Sequence, residues 1–232
     1  MDSIGALRAG YQNKKDKIKE RLTQFQIFFD KPYSWSYTNN ELKLLPVDTV
    51  DDYRIFEELA FCIFTANASA EMGLKAVDAV RNVLINGNAI DMTRRLEGIY
   101  RFNNLRPAYI IHTRTYLKNT LNFKLKNKIK SFRDKDELRD FFALNKDIKG
   151  LGYKEASHFL RNIGFKGYAI LDKHIINSLF EFGILTTNEK PKNNKEYLEI
   201  EEKFKEFSKD IGIDFDDLDL LLWSRKNGRI LK

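Results

Sequence analysis

Apolar residues recur along this chain mainly at three- and four-residue intervals, the spacing that lines one face of a helix. Residues 10 to 29 set Tyr11, Ile18, Leu22, Phe25, Ile27 and Phe28 among Lys, Glu and Gln, and predict an amphipathic helix that stops near Asp30-Lys31-Pro32. Residues 31 to 50 carry Pro32, Asn39-Asn40 and Pro46 and read as a loop or a short extended piece. From Asp51 the helical pattern returns, with Asp51 or Asp52 as N-cap and Phe56, Leu59, Ala60, Ile63 and Phe64 on the buried face. Ser69 can cap the next helix, residues 71 to 85, which Asn86-Gly87-Asn88 closes. Two more follow at 89 to 101 and 107 to 121, with Pro107 suited to a first helical position. Asp134 to Asn145 turns Leu138, Phe141, Phe142 and Leu144 inward, and Lys154 to Ile163 is the next helix. Helices at Asp172 to Phe182, Tyr197 to Asp210 and Asp216 to Trp223 complete the series, the last stopped by Lys226-Asn227-Gly228. The reading is all-α, with no run of alternating residues that predicts a strand.

Composition narrows the partners. The 232 residues are 43% hydrophobic, enough for a real core, and the net charge is +7. The basic excess is clustered: Arg114, Lys118, Lys124, Lys126, Lys128, Lys130, Arg133 and Lys135 come with no acid before Asp134. Alone, such a run is as readily a solvated helix face or loop as a polyanion contact; beside a turn that grips phosphate it reads as the polyanion contact. A single cysteine, Cys62, excludes an internal disulfide and a four-cysteine iron–sulfur cluster, and its apolar neighbours Phe61, Ile63 and Phe64 predict a core position. Three scattered histidines make no zinc-like cluster. No stretch approaches a membrane span and no apolar run precedes Lys14, so a cytoplasmic, nucleoid-associated protein without a signal peptide or membrane contact is expected.

The most informative stretch runs from Asp147 to His174. Gly150 and Gly152, one residue apart and flanked by Ile148 and Leu151, describe a tight turn between two helices. Such a turn presents unpaired N–H groups and the positive end of a helix dipole, which suit a phosphate. Gly150-x-Gly152-x-Lys154-x-Ala156, followed by Asp172, resembles the helix-hairpin-helix DNA glycosylases, and the hairpin lysine marks their bifunctional glycosylase/lyases. The run from Gly150 to Asn162, together with Gly228-Arg229-Ile230-Leu231-Lys232, is similar to the archaeal-type 8-oxoguanine DNA glycosylase/AP lyases.

That resemblance implies two helical subdomains with the active-site cleft between them: residues 1–65 with 171–232, and residues 66–170 containing the hairpin at about 136–163. It implies Lys154 as the Schiff-base nucleophile and Asp172 as the carboxylate beside the reacting sugar, which could also relay protons to and from Lys154. An N-cap is the other reading of Asp172, and the two roles are compatible. The resemblance further assigns duplex contacts to Gly150, Gly152 and Tyr153, phosphate contact to His174, and the filling of the vacated base position to Asn67. An Asn in an inter-helix turn also satisfies local backbone groups. Leu105, or Phe102, is the candidate wedge opposite the lesion, with a core position equally open. Lys232 is assigned to lesion recognition, and Trp223 could stack on a flipped base or pack in the core. The carbonyls of Lys146, Ile148 and Leu151 would hold a structural monovalent cation. No cofactor is expected. The partner is double-stranded DNA containing an oxidised base, bound by a monomer. A glycosylase for another oxidised base and a non-catalytic DNA-gripping hairpin are the alternatives; Lys154 with Asp172 argues against the second.

Overall fold

A computed structural model describes residues 3–39, 41–48, 51–225 and 228–232. Asn40, Lys226 and Asn227, which the sequence places in a loop and at a helix end, lie outside the described residues. The elements are α1 (Ser3–Gln26), β1 (Tyr33–Thr38), β2 (Glu41–Pro46), α2 (Asp52–Thr65), α3 (Ala70–Val80), α4 (Ala89–Leu96), α5 (Leu105–Leu121), α6 (Leu125–Ser131), α7 (Lys135–Ala143), α8 (Tyr153–Asn162), α9 (Lys173–Glu181), α10 (Asn194–Ile211) and α11 (Phe215–Ser224), with a 3-10 turn at Arg81–Val83. Helices dominate, as the apolar spacing predicts. Among the described residues none is long and apolar enough to cross a membrane.

Two compact units emerge, Phe28–Phe159 and Met1–Ile27 with Leu160–Lys232. These borders differ from the expected 65/66 and 170/171. The reason is α2: its buried face, from Ile55 to Phe64, packs on α3, α5 and α6, so residues 28–65 fold with the middle of the chain. At the other border α8 continues through Leu160, whose burial belongs with the terminal helices.

Within the Phe28–Phe159 unit, the extended of the two readings holds for the segment after Pro32: Tyr33–Thr38 and Glu41–Pro46 pair antiparallel, with Tyr33 opposite Pro46 and Thr38 opposite Glu41. Tyr33, Trp35 and Tyr37 alternate along β1 and are all buried. The strand is covered by α2 and α3. The buried Arg54 guanidinium stacks on Phe28, 3.7 Å from its ring centroid, and donates to the Tyr33 carbonyl at 2.6 Å. Arg81 donates to the Trp35 carbonyl and to Glu57, and Asp78 accepts from Tyr37 N. Cys62 is fully buried, as expected. The basic run contains α6, where Leu125 and Ile129 are buried and the intervening lysines lie outward or over Phe29, Phe132 and Phe141.

In the other unit α1 packs along α11, which also contacts α9 and α10. Asp217, fully buried on α11, accepts from the Tyr11 hydroxyl and pairs with Lys19 at 2.7 Å. Lys14 reaches the carbonyl and hydroxyl of Ser224.

Candidate active site

The hairpin is built by α7, the turn 144–152 and α8. Asp134 caps α7 by accepting from the backbone N–H groups of Asp136 and Glu137. In the turn, Ile148 N donates to the Asn145 carbonyl at 3.0 Å, and Lys149 N donates to the buried Thr113 hydroxyl of α5 at 2.9 Å. Ile148 and Leu151 anchor the turn in the core. Gly150 has φ +84°, and a Cβ there would lie 2.9 Å from the Tyr109 ring and 3.3 Å from both Arg106 Nη1 and Ile63, so both the conformation and the space require glycine. Gly152 precedes α8 as its N-cap, its carbonyl accepting from Ala156 N at 2.9 Å. A glycine brings no side chain to cap the first turn, and Gly152 is exposed there. Tyr153 ties the two arms together, because its hydroxyl donates to Asp140; burial and that carboxylate push the phenol up to about 12, so it stays protonated.

Lys154 is the second residue of α8. Its amine is 3.1 Å from Glu155 Oε1, while Glu155 Oε2 accepts from Gly152 N at 3.3 Å. The amine therefore sits in the first turn of the helix, where the backbone dipole is positive, with one carboxylate oriented against it.

The second predicted segment of this unit is the turn between α2 and α3. Asn67 is exposed, with φ +59°, a left-handed conformation that asparagine tolerates better than most residues. Three donors from residues 100–106 hold the turn: Tyr100 donates to the Phe64 carbonyl at 2.5 Å, Arg101 to that of Asn67, and Arg106 to that of Ala66 at 2.8 Å. Arg106 is buried and also lies against Gly150, so it joins the Asn67 turn to the hairpin. Leu105 begins α5 and is 46% exposed, which excludes the core reading, whereas Phe102 is half-buried under the Arg101 guanidinium.

In the terminal unit Asp172 is the N-cap of α9. Its Oδ1 accepts from His174 N at 2.7 Å and Ile175 N at 2.9 Å, and among the described residues no hydrogen bond falls on Oδ2. Capping therefore leaves one oxygen for chemistry. The irregular segment leading to it, residues 167–171, is held by buried acids and a tyrosine. Gly167 N donates to Asp216 at 3.0 Å, Ala169 N to Glu201 at 2.9 Å, Ile170 N to Asp219 at 3.0 Å and Leu171 N to the Tyr197 hydroxyl at 3.2 Å. Burial raises Asp216, and it raises Asp219 to about 7 although Arg161, 3.3 Å away, pulls it down. His174 is half-buried. Trp223 is half-buried on α11, and Lys232 is buried at the end of a tail whose Ile230 carbonyl accepts from Arg21.

The turn also fits the implied cation. Among the described residues its backbone hydrogen bonds are accepted by Asn145 and Gly152, not by the carbonyls of Lys146, Ile148 or Leu151. Those three oxygens are the hard donors that would hold such an ion. Sequence reasoning did not single out Glu155, Arg106, Asp216, Asp219 or Glu201. Acids interrupting the apolar run of α11 were the one signal for Asp216 and Asp219.

Residues 41–213 match the family model Ogg-HhH, 8-oxoguanine DNA glycosylase. The chain is 40% identical over 182 residues to an 8-oxoguanine DNA glycosylase/AP lyase of Korarchaeum cryptofilum, covering 78% of this chain and 84% of the relative. It is 36% identical to that of Aquifex aeolicus over the whole of both chains. Its structure is similar to the Methanocaldococcus jannaschii 8-oxoguanine glycosylase/lyase in complex with a 15mer DNA containing 8-oxoguanine, with a TM-score of 0.83 at 29% identity and full coverage of both chains. With a family model spanning residues 41–213 and full-length relatives above 30% identity, the chain belongs to the Ogg-HhH family of 8-oxoguanine DNA glycosylases.

Proposed function

We propose that this chain excises 8-oxoguanine from double-stranded DNA and nicks the strand at the resulting abasic site, with Lys154 as nucleophile. The 8-oxoguanine glycosylase/AP lyase activity follows from the relatives, which carry that name across the full length of the chain. The observation that carries the assignment of Lys154 is its place in the first turn of α8, directly after the glycine turn, with its amine oriented by a carboxylate.

A base in the stack is out of reach, so the nucleotide must be flipped out. The neutral Lys154 amine attacks C1′ and displaces the base; the sugar ring opens to an iminium ion, which acidifies the 2′-proton, and β-elimination breaks the 3′ C–O bond. Asp172, with Oδ2 uncommitted, is the carboxylate that stabilises positive charge on the sugar. Gly150 and Gly152 bring backbone close to the phosphates, and Tyr153 secures that turn through Asp140. Asn67 fills the vacated position, Leu105 wedges beside it, and His174 contacts phosphate. Lys232 and Trp223 read the base. The enzyme works as a monomer in the cytoplasm, at the nucleoid.

Borohydride trapping on a duplex with one 8-oxoguanine tests the assignment, comparing wild type with Lys154→Gln and Asp172→Asn. A covalent adduct in wild type that vanishes in Lys154→Gln is expected. An adduct only on an oxidised pyrimidine would overturn the lesion, and no adduct on any damaged duplex would leave a DNA-binding hairpin.

A further inference from the structure

The amine of Lys154 has a partner that the sequence motif does not predict. Its side chain is 26% exposed and that of Glu155 is 15% exposed, so the pair is largely withdrawn from water before DNA arrives. Ion pairs between two mobile surface chains contribute little and wander. Glu155 differs because its Oε2 is tethered to Gly152 N, in the manner of the acid of a capping box. One oxygen closes the hairpin turn, and the other faces Nζ at 3.1 Å.

We propose that Glu155 is the base that takes the proton of Lys154 as the amine attacks, a role that rests on Lys154 being the nucleophile. In the free protein the ammonium and carboxylate attract each other. DNA laid over the turn removes the remaining water, and an ion pair in that environment yields to the neutral amine and carboxylic acid, the proton moving along the hydrogen bond already present. The Nζ lone pair then forms the bond to C1′. The C1′–N9 bond breaks with its electron pair on the base, which takes the proton back from Glu155. Of the three ammonium protons, two remain on the new C1′–Nζ ammonium and one leaves on the base, and the carboxylate is regenerated.

Single-turnover base release and trapping between pH 6 and 9 test this, with wild type, Glu155→Gln, Asp172→Asn and Lys154→Gln. Glutamine retains an oxygen for the Gly152 N–H, and matching thermal melts and duplex affinity confirm an intact hairpin. Glu155→Gln is expected to slow base release about 100-fold at pH 7, with a rate that climbs steeply as solvent deprotonates the amine, so the gap narrows toward pH 9. Glu155→Ala, equally slow, is expected to recover with added formate, which keeps the test open if glutamine disturbs the turn. A Glu155→Gln rate within about threefold of wild type, or one reduced by the same factor at every pH, would overturn the proposal. A steep pH dependence in Asp172→Asn without one in Glu155→Gln would move the role to Asp172. An adduct persisting in Lys154→Gln would instead overturn the nucleophile itself.

Discussion

Asp219 tests how firmly the segment bearing Asp172 is held. Its carboxylate is buried on α11, where Oδ2 accepts from Ile170 N and Oδ1 faces Arg161. Burial lifts it from the ordinary 3.8 to about 7, outweighing Arg161 and the backbone N–H, which pull the other way. A carboxyl whose pKa is higher folded than unfolded binds its proton more tightly in the native state. Its contribution to stability is therefore complete below 3.8 and is lost as the pH rises through about 7. At about 1.4 kcal/mol per unit, the two units between pH 5 and 7 amount to about 3 kcal/mol. Asp219→Asn keeps an oxygen for Ile170 N and mimics the protonated acid, but it cannot ionise. Urea melts of both proteins at pH 5, 6, 7 and 8 should show wild type losing about 3 kcal/mol relative to the variant across the series. A difference constant to within about 0.5 kcal/mol would refute the reasoning, because it would mean that Arg161 keeps Asp219 charged throughout.

Two further substitutions probe the hairpin and the Asn67 turn. Gly150→Ala combines a left-handed φ with a Cβ 2.9 Å from Tyr109 and should destabilise by about 3 kcal/mol, whereas Gly152→Ala, whose Cβ meets only Glu155 Oε2 at 3.6 Å, should stay within about 1 kcal/mol by thermal denaturation. Arg106→Ala removes a buried donor from the Ala66 carbonyl and should cost about 2 kcal/mol; in a Lys154→Gln background, fluorescence anisotropy should show about tenfold weaker binding of the lesion duplex.

The hairpin was legible because its signals are local. Two glycines, two flanking apolar residues and a periodic helix on each side lie within one stretch, and Asp172 was readable as a cap for the same reason. What was missed depended on distant partners. In β1 the aromatic alternation is real, but the intervening Ser34 and Ser36 are also buried under α2 and α3, so the outward face carries no charges to mark it. In α6 a two-residue apolar stripe, Leu125 and Ile129, is swamped by lysines. Asp216, Asp219 and Glu201 read as solvated charges, since the backbone N–H groups they satisfy lie 32 to 49 residues away. Arg106 likewise serves a carbonyl 40 residues earlier. Glu155 needed no distant partner; a glycine N-cap hid the capping pattern that would have flagged it.

The pairing of α1 with α11 bears on how the chain reaches its native state. Tyr11 and Asp217 are 206 residues apart, and the Phe28–Phe159 unit lies wholly between them in sequence. During synthesis that middle unit can complete its own core while α11 is still unmade, whereas α1, made before that unit, must wait for α11, made after it. The entropy of closing so long a loop grows only logarithmically with its length, and prior folding of the intervening residues shortens the effective loop. The order of assembly follows: the hairpin with Lys154 can form before the segment that presents Asp172 has its buried acids in place.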